Sequence, residues 1–330
     1  MKNTLVCFFF LLFLLSCQRE KVTISKLNKS IGERNELALV IDDSLWNGAV
    51  GDSIRKRLVI PVDNVLTKEP LFDIVQYNTK IFSYNAKLSR NIITFKKAEH
   101  NSFRLQKSVF STPQNYFTIQ YKSTNDLIEI IRNNSDSIVS VLQKSELNEE
   151  QHLISRTASN DLELIKNLFG ITIKIPKYYH VVNQSEFPFL WYQKELASGD
   201  VNIIVYEYPI DFIERDSNTN NNIISAMDSI GKTFIKGRKS FTYMMNDSLN
   251  KPIITNERKD QMDKYLIKGI WSMVNDYSSG PYLCYVIRDD FYNRYLFLQG
   301  FINDPVRFKR DHLLELEAIF KTINFYENNI

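Results

Sequence analysis

Cysteine, histidine and glycine are scarce in this chain, and each shortage excludes a class of protein. Its 330 residues include 3 Cys and 4 His, and no two His lie at the spacing of a zinc-binding motif. With 10 Gly and 9 Pro, the composition is neither that of collagen nor that of a disordered segment. We therefore expect an ordinary globular protein without a metal site.

An excess of charge of one sign is also missing. The chain carries 41 basic and 38 acidic residues, which gives a formal net charge of +3. A nucleic-acid-binding protein usually presents a clustered basic face, so we expect no nucleic-acid partner. The sequence also lacks a Gly-rich phosphate loop and the Gly-x-Ser-x-Gly turn that presents a nucleophile. It therefore indicates no catalytic residue and no cofactor.

Only one long hydrophobic run is present, at residues 5–15, and Lys2 precedes it. Its eleven residues are too few to cross a hydrocarbon core of about 30 Å as a helix. A short apolar run behind a positively charged N-terminus is typical of a signal peptide. We predict that residues 1–16 are a signal peptide rather than a membrane anchor.

Cys17 ends the segment Leu14-Leu15-Ser16-Cys17, which resembles the lipobox of bacterial lipoproteins. In that class the Cys thiol receives a diacylglycerol when the leader is removed. The resemblance implies that Cys17 becomes the first residue of a chain that several acyl chains hold on a membrane. The residue directly after Cys17 is Gln18, and residues 18–21 contain no Asp. An Asp there retains many lipoproteins on the inner membrane, so its absence favours the outer membrane, facing the periplasm. The alternative is an ordinary secretory signal.

The region after Cys17 is polar, and we interpret residues 17–36 as a tether. Cys7 leaves with the leader and Cys17 is lipidated, so Cys284 is the remaining cysteine of the folded part. Cys284 lies in an apolar strand pattern without an adjacent His or basic residue. We expect it to be a small buried hydrophobe rather than a reactive thiol.

Hydrophobic periodicity indicates two domains, at residues 37–158 and 159–330. In the first domain the pattern predicts strands at 37–41, 71–75, 91–95 and 116–121, and helices at 45–58 and 125–142. The polar run at 133–137 is a candidate break in the second helix.

The second domain begins with a pattern typical of a capping box, formed by Asn160 and Glu163. Strands are predicted at 171–176, 189–194, 201–208, 265–274, 282–287 and 294–302, and helices at 223–234 and from Asp304-Pro305 onwards. Consecutive strands joined by short turns pair antiparallel. We predict an α+β protein of two domains, with antiparallel sheets and helices packed on one face. The order of elements in the C-terminal domain resembles the PsbP-like fold.

Trp46, Asn47 and Asp52 form a first cluster of unusual composition. Gly48 and Gly51 lie in the same predicted helix, where each Gly costs up to about 1 kcal/mol relative to Ala. An aromatic face beside an amide and a carboxylate suits a sugar or a peptide, so these three residues are candidate binding residues. The alternative is that Trp46 fills the core beneath a turn.

Trp271, Asn275, Asp276 and Tyr277 form a second cluster. A predicted strand ends here in an Asn-Asp turn and reverses through Gly280-Pro281. The four side chains are candidates for the rim of a binding site. The alternative is that they only build the hairpin.

Residues of both clusters resemble a known family. The resemblance rests on Leu45-Trp46-Asn47-Gly48 with Gly51-Asp52, the segments 169–176 and 228–232, and Gly269-Ile270-Trp271 with the segment 273–276 and Gly280-Pro281. The family consists of Bacteroidetes lipoproteins and is catalogued as a domain of unknown function, number forty-eight thirty-seven. The resemblance covers nearly all of the mature chain and implies an envelope lipoprotein, with no activity attached. Where the family pattern has an acidic residue after the Trp, this chain has Ser272.

Two functions are compatible with these patterns. The first is a non-catalytic module, anchored to the membrane through Cys17, that binds an envelope protein or a glycan. The second is a hydrolase of envelope glycans or peptides that uses paired carboxylates such as Asp52 or Asp276. A hydrolase of that kind needs two carboxyl groups about 5–10 Å apart across a cleft, which a structure can test.

Overall fold

The computed structural model describes residues 27–62, 65, 68–159, 163–184, 188–259 and 262–325. The predicted leader, Cys17 and the Asn160 end of the predicted capping box lie outside these residues. Within them, a five-stranded sheet dominates the first half of the chain and an eight-stranded sheet dominates the second.

The sheet of the first half is assembled from short apolar runs. Its strands are β2 (Glu36–Val40), β3 (Asp73–Tyr77), β4 (Asn91–Lys97), β5 (Ser102–Lys107) and β7 (Asn115–Tyr121), in the spatial order β3-β2-β4-β7-β5. The side chains of Leu37, Leu39 and Ile93 are fully buried. All four strands predicted in this half are present, whereas the sequence pattern missed the mostly exposed β5.

Strand pairing in this sheet differs from the predicted antiparallel arrangement. β2 pairs parallel with β3 and β4, and β4 pairs parallel with β7, whereas β5 pairs antiparallel with β7. The reason is that helices follow β2 before the chain returns as β3, and such a crossover brings the next strand back in the same direction. Parallel strands buried on both faces are continuous apolar runs, as at residues 37–41.

Two short helices follow β2, where the pattern predicted one helix at 45–58. These two helices are α1 (Asp43–Trp46) and α2 (Ala49–Leu58). Another short helix, α3 (Tyr84–Lys87), comes after β3. The chain changes direction between α1 and α2, at Gly48. A Cβ on Gly51 would lie 1.8 Å from the carbonyl oxygen of Trp46, so the close approach of the two helices requires a glycine there.

The longest helix is α4 (Thr124–Thr157), which has 34 residues. Ser123 and Asp126 form a capping box at its start. The candidate break at 133–137 is absent from this helix. Asn134 donates a hydrogen bond to the carbonyl of Ile130 at 2.8 Å, so its side chain bonds along the helix instead of interrupting it.

The folded part begins earlier than the predicted end of the tether. The short strand β1 (Asn28–Lys29) pairs parallel with β6 (Ser111–Thr112), and Ser30 and Asn35 are buried. The tether prediction of 17–36 is therefore too long, because polar residues such as Ser30 and Asn35 pack in the folded part. The backbone N–H of Ser30 donates to the carbonyl of Thr112 at 3.1 Å.

The sheet of the second half has the spatial order β12-β14-β15-β16-β11-β10-β9, and β13 pairs with β14 beside β12. Its strands are β9 (His180–Gln184), β10 (Phe189–Glu195), β11 (Asp200–Pro209), β12 (Met244–Asn246), β13 (Ile253–Lys259), β14 (Met262–Met273), β15 (Ser279–Asp289) and β16 (Arg294–Asn303). The pairings described in this sheet are antiparallel, as predicted. A separate pair of short strands joins β8 (Ile171–Thr172) to β17 (Asn324–Phe325).

Helices cover both faces of this sheet, whereas we predicted one. The helices of this half are α5 (Glu163–Phe169), α6 (Ile210–Ile213), α7 (Thr219–Phe234) and α8 (Arg310–Phe320). α5 and α8 pack on the face that carries Leu298, and α7 packs on the face that carries Phe297. Nearly every side chain of β15 and β16 is buried, so both faces are apolar and each requires a cover. The α+β class itself is confirmed.

α8 begins at Arg310, later than the predicted start at Asp304-Pro305. The carboxylate of Asp304 accepts two backbone N–H groups of the residues just after it, so it closes a turn. The N–H groups of Lys309 and Arg310 donate to the carboxylate of Glu69, at 2.7 and 2.8 Å. The start of α8 is therefore capped from the other half of the chain.

α4 belongs to the cores of both halves. Leu127 and Ile138 pack against the first sheet, whereas Ile154 packs against the second. The two halves therefore share one continuous helix. The domain division at residue 158 stays a prediction.

Candidate functional site

A groove lies between the two halves, where α4 faces α8. It encloses about 680 Å³. α4 and α8 form its long walls, and residues 60–62 with the strands β14 and β15 complete it. Its apolar lining includes Ile60, Pro61, Leu71, Leu147, Leu313 and Leu314.

The charged side chains of the groove are mostly basic. Lys144, Lys268, Arg310 and Lys321 line it together with one acid, Glu317. Arg310 is paired with Asp73 and Asp311, which lie outside the lining. Lys321 pairs with Glu317 at 3.0 Å. The lining therefore complements a ligand that carries both apolar and acidic groups.

Arg310 fixes one end of the groove. Its guanidinium donates to Asp73 at 2.7 Å, to Asp311 at 2.9 Å and to the carbonyl of Pro70 at 2.8 Å. Burial opposes the charge of Arg310, but hydrogen bonds with Asp73 and Asp311 raise its pKa above the ordinary value. Arg310 is therefore a permanent positive charge that connects α8 to the first half.

Two buried glutamates of α4, one turn apart, tie the helix to the first half. Glu146 accepts two hydrogen bonds from Arg90, at 2.8 and 2.9 Å, and one from the Asn91 amide at 2.7 Å. Glu150 accepts two hydrogen bonds from Arg34, both at 2.7 Å. Bidentate pairs of this kind are directional as well as strong, so they fix how α4 sits on the first sheet.

A third buried acid, Glu315 on α8, faces the second sheet. Its carboxylate is bonded by Lys194 of β10, and the ring nitrogen Nδ1 of His312 lies 4.0 Å away. Burial disfavours the charge of Glu315, but interactions with His312, Lys194 and Arg34 outweigh it and lower the pKa to about 2. Glu315 is therefore ionised in the folded protein. Burial raises the pKa of Glu150, and Arg34 opposes that shift.

The buried acids Glu146, Glu150 and Glu315 hold ion pairs and do not line the groove. A general acid or base must reach its substrate. Neither Glu146 nor Glu150 lines any of the four cavities that the structure describes, and each of those cavities has at most one carboxylate in its lining. The ion pairs therefore act on the shape of the groove, because they set the position of α4 and α8.

Comparison with known proteins gives a family for the second half. A family model described as Domain of unknown function (DUF4837) matches residues 158–322, which is half of the chain. The chain belongs to this family. A second model, described as Domain of unknown function (DUF8532), matches residues 30–155. The DUF4837 part supplies the α8 wall of the groove, and the DUF8532 part supplies the α4 wall.

The residues behind the family resemblance divide between these two matches. Segments 169–176, 228–232 and 269–281 lie within the DUF4837 match. Residues 45–52, which include the first candidate cluster, lie within the DUF8532 match instead. The resemblance that we expected to span nearly all of the mature chain is therefore covered by two family models, both of unknown function.

Two solved structures are similar to part of this DUF4837 protein. The Ran-binding protein Mog1p of Saccharomyces cerevisiae is 9% identical with a TM-score of 0.33, and the match covers 48% of this chain and 90% of that chain. A mutant of protein Mog1 is 11% identical with a TM-score of 0.32, over 48% and 92% of the two chains. At such scores the likeness carries no argument, and the PsbP-like architecture stays a prediction. A search of curated proteins found no match.

The first candidate cluster lies on the surface of the first half, outside the groove. Trp46 is half-buried against the core, and the guanidinium of Arg55 lies 4.6 Å from the centre of its ring. Asp52 forms an exposed ion pair with Arg55 at 2.8 Å, and Asn47 is exposed. This packing agrees with Trp46 as a core residue beneath a turn. A binding role for the three residues stays a prediction.

The second candidate cluster divides between the core and a surface turn. Trp271 is 3% exposed, and its indole N–H donates to the carbonyl of Ile302 at 3.1 Å. Asn275, Asp276 and Tyr277 form the turn between β14 and β15, and Tyr277 is fully exposed. The burial of Trp271 agrees with the hairpin alternative. A binding role for the four residues stays a prediction.

The carboxylates considered for a hydrolase do not share a cavity. Asp52 lies in α2 of the first half, whereas Asp276 lies in a turn of the second half. Neither of them lines any of the four described cavities. In the groove itself, Glu317 is the acid of the lining, and it is paired with Lys321. The arrangement therefore does not supply the pair of acids that glycoside hydrolysis uses.

The buried ion pairs were not predicted from the sequence, although α4 carries a signal of them. The buried stripe of α4 passes through Ile138 and Leu142 in steps of four and continues through Glu146 and Glu150 to Ile154. An acid within the apolar stripe of a long helix indicates a buried basic partner. The pattern could have identified the two glutamates, but not the two arginines that meet them.

Other sequence expectations concern chemistry outside the groove. Cys284 is buried, as expected, and burial raises the pKa of its thiol. Among the residues that the structure describes, no group of His, Cys, Asp and Glu side chains is arranged to hold a metal ion. No helix in the described ranges is both long enough and apolar enough to cross a membrane.

Proposed function

We propose that this chain is a lipid-anchored, non-catalytic binding module of the bacterial cell envelope, and that its groove receives a segment of a partner protein. The anchor is Cys17, on the outer membrane and facing the periplasm. The observation that carries the proposal is the groove between α4 and α8, with its apolar lining and its mostly basic charged side chains.

The lining favours a protein segment over a glycan. Sugar rings commonly stack on flat, exposed aromatic faces, whereas the aromatic residue of the described lining, Tyr282, is only 2% exposed. Leu147, Leu313 and Leu314 instead offer aliphatic contacts, and Lys144 is exposed at the edge. Apolar residues followed by Asp or Glu are the complement of such a surface.

The lipid anchor is supported by the sequence of the leader. The apolar run ends at Leu15, and Ser16 alone separates it from Cys17. Intact-mass spectrometry of the protein extracted from membranes is expected to give a chain that starts at Cys17 and carries acyl chains. A leader still attached, or an unmodified Cys17 thiol, contradicts the anchor.

The groove can be tested by affinity capture from detergent-solubilised membranes. Leu314 lines the groove but is not part of the packed cores, so Leu314→Asp changes the groove with little effect on folding. We expect one partner to be enriched by the wild type and lost with Leu314→Asp and with Lys144→Glu. The partner site should then be mapped to an acidic segment by cross-linking.

The matched control is Ile81→Asp, which replaces an apolar side chain that is 66% exposed and does not line the groove. This variant should retain the partner, and the melting temperature of each variant should stay within a few degrees of the wild type. Equal capture by Leu314→Asp and Ile81→Asp argues against the groove as the binding site. Hydrolysis of envelope glycan by the purified chain argues against a non-catalytic module.

A further inference from the structure

One end of the second sheet carries three loops side by side. They follow α7 (residues 236–242), connect β14 to β15 (residues 274–278) and follow β16 (residues 304–308). The strands β14, β15 and β16 are hydrogen-bonded neighbours, and the N–H of Val274 bonds to the carbonyl of Tyr243 at 2.9 Å. We call the surface formed by these three loops the aromatic end.

Large apolar side chains protrude from each of the three loops. Phe241 is 87% exposed, Tyr277 fully, Val306 75% and Phe308 55%. Single exposed hydrophobic residues are common on protein surfaces, but four at one end of a sheet form a patch. Such a patch marks a contact with a partner or a membrane.

The same loops are rich in positive charge. Lys236, Arg238, Lys239 and Arg307 are exposed, against two acids, Asp276 and Asp304, in these loops.

Both acids already accept hydrogen bonds within the protein. Asp304 is buried and accepts hydrogen bonds from Ser198 and from two backbone N–H groups. Asp276 accepts the N–H of Tyr277 at 2.7 Å. The outward charge of the aromatic end is therefore positive.

The protruding position of Phe241 is built into the backbone. Phe241 and Asn275 both have a left-handed conformation, with φ of +62° and +59°. The Asn275 side-chain amide donates to the carbonyl of Phe241 at 3.2 Å, which joins the two loops. Non-glycine residues adopt this conformation only where the surrounding structure imposes it, so Phe241 is held outwards.

We infer that the aromatic end is a second membrane contact, which binds a bilayer surface that contains anionic lipid. Aromatic rings are favoured at the depth of the headgroups, and Lys and Arg are attracted to anionic phosphates at the same level. The four side chains are exposed on three separate loops and line none of the four described cavities, which suits a fluid surface that adapts its shape better than a rigid partner.

The contact rests on the proposed lipid anchor, which brings the body close to a bilayer. Ten steps of chain from Cys17 to Leu27 reach at most about 35 Å. The first half meets the aromatic end closely, because Asn35 donates to Asp311 at 2.8 Å and Asp311 lies three residues after Phe308. A tether of that reach keeps the folded part close to the bilayer that holds the anchor.

The test places a dye at the tip of the aromatic end of the full chain. Phe241→Cys is labelled with an environment-sensitive fluorophore, while Cys284 is buried and does not react in the folded protein. The labelled chain is reconstituted in vesicles of phosphatidylcholine with or without phosphatidylglycerol. We expect the dye emission to shift to shorter wavelength, and to be quenched by nitroxide lipids, in the anionic vesicles.

The positive charge is tested by a double variant of the labelled chain. Arg238→Glu with Lys239→Glu should lower the membrane-bound fraction of the dye roughly tenfold or more.

The control is the same dye at Leu249→Cys, a site that is 89% exposed in the loop between β12 and β13, outside the aromatic end. It should stay in water in all vesicles. A dye at position 241 that stays in water, that responds equally in neutral vesicles, or that shifts only when envelope proteins are added overturns the inference. A chain that does not float with the vesicles contradicts the lipid anchor instead, and the dye response to excess anionic vesicles then still decides the inference.

Discussion

Buried charge is the main feature of this molecule at the scale of single residues. Glu146 is 2% exposed and accepts hydrogen bonds from Arg90, Asn91 and the backbone of Asn35. Removing one partner of such a group leaves the others desolvated without compensation. The energetic effect should therefore be large although no apolar contact is lost.

Glu146→Ala is expected to lower the free energy of unfolding by about 3–5 kcal/mol, because the guanidinium of Arg90 stays buried without its partner. Urea denaturation measures this directly. Glu129→Ala is the matched control on the same helix, since its carboxylate is 61% exposed and pairs with Arg132 at 3.6 Å. Its effect should stay below about 1 kcal/mol. Equal losses for the two variants would show that the Glu146 ion pair is not a main determinant of stability.

Glu315 predicts a dependence of stability on pH. Interactions in the folded protein outweigh burial and lower its pKa from 4.5 to about 2. A carboxyl group with a lowered pKa stabilises the folded state fully above pH 4.5, and this stabilisation is lost as the pH falls towards 2. The full contribution is on the order of 3 kcal/mol.

The difference in the free energy of unfolding between wild type and Glu315→Gln should be constant near neutral pH and shrink as the pH falls from 4.5 towards 2. Denaturation midpoints at a series of pH values give this difference. Glu317→Gln, two residues further on, should show a smaller difference, since its partner Lys321 is 38% exposed. A difference for Glu315→Gln that does not change with pH would contradict the lowered pKa.

At the scale of helices and strands, local pattern predicts the apolar elements well and their ends poorly. Strands such as β4 and β15 are present where their apolar runs lie, because burial of both faces requires such runs. The start of α8 was predicted five residues too early, since its first helical residue is Arg310 and not Pro305. Its cap is the carboxylate of Glu69, which is more than two hundred positions away in the chain. No local pattern can show such a partner.

The pair α1 and α2 shows the same limit in a different form. Helix propensity alone predicts that Gly51→Ala stabilises an exposed helix by about 1 kcal/mol. In the structure the new Cβ would lie 1.8 Å from the carbonyl oxygen of Trp46, so the two helices must move apart. We therefore expect a lower melting temperature. Lys56→Ala, an exposed site in α2, should change it little. A stabilised Gly51→Ala protein would contradict the close contact of α1 and α2.

At the scale of the whole molecule, the groove is a property that the sequence did not reveal. Leu313 packs against the core of the second half and also lines the groove, together with Leu314 beside it. Which side of α4 meets α8 depends on the ion pairs of Glu146 and Glu150 with arginines from distant segments. Periodicity gives the buried side of each helix, whereas the meeting of two helices depends on the whole chain.

Cooperative unfolding is the prediction at this scale. α4 packs in both cores, and charges of each half are neutralised by the other, as with Glu69 and Lys309. The slowest-exchanging amides of β4 and β15 should therefore open with the same free energy in hydrogen exchange. A first half that opens several kcal/mol before the second would show that the halves are independent. Arg310→Met should lower both values together, because it removes a charge that bridges the halves.

The carboxylate of Glu69 has a consequence for relatives of this protein. It meets the first amides of the last helix from a segment that lies outside the DUF4837 match. In a protein that has the second unit without the first, the first backbone N–H groups of that helix would lack this acceptor. Such a protein would need an acid or a hydroxyl of its own to accept their hydrogen bonds. Where the two units occur together, an acidic residue at this point should be retained as a sign of their joint ancestry.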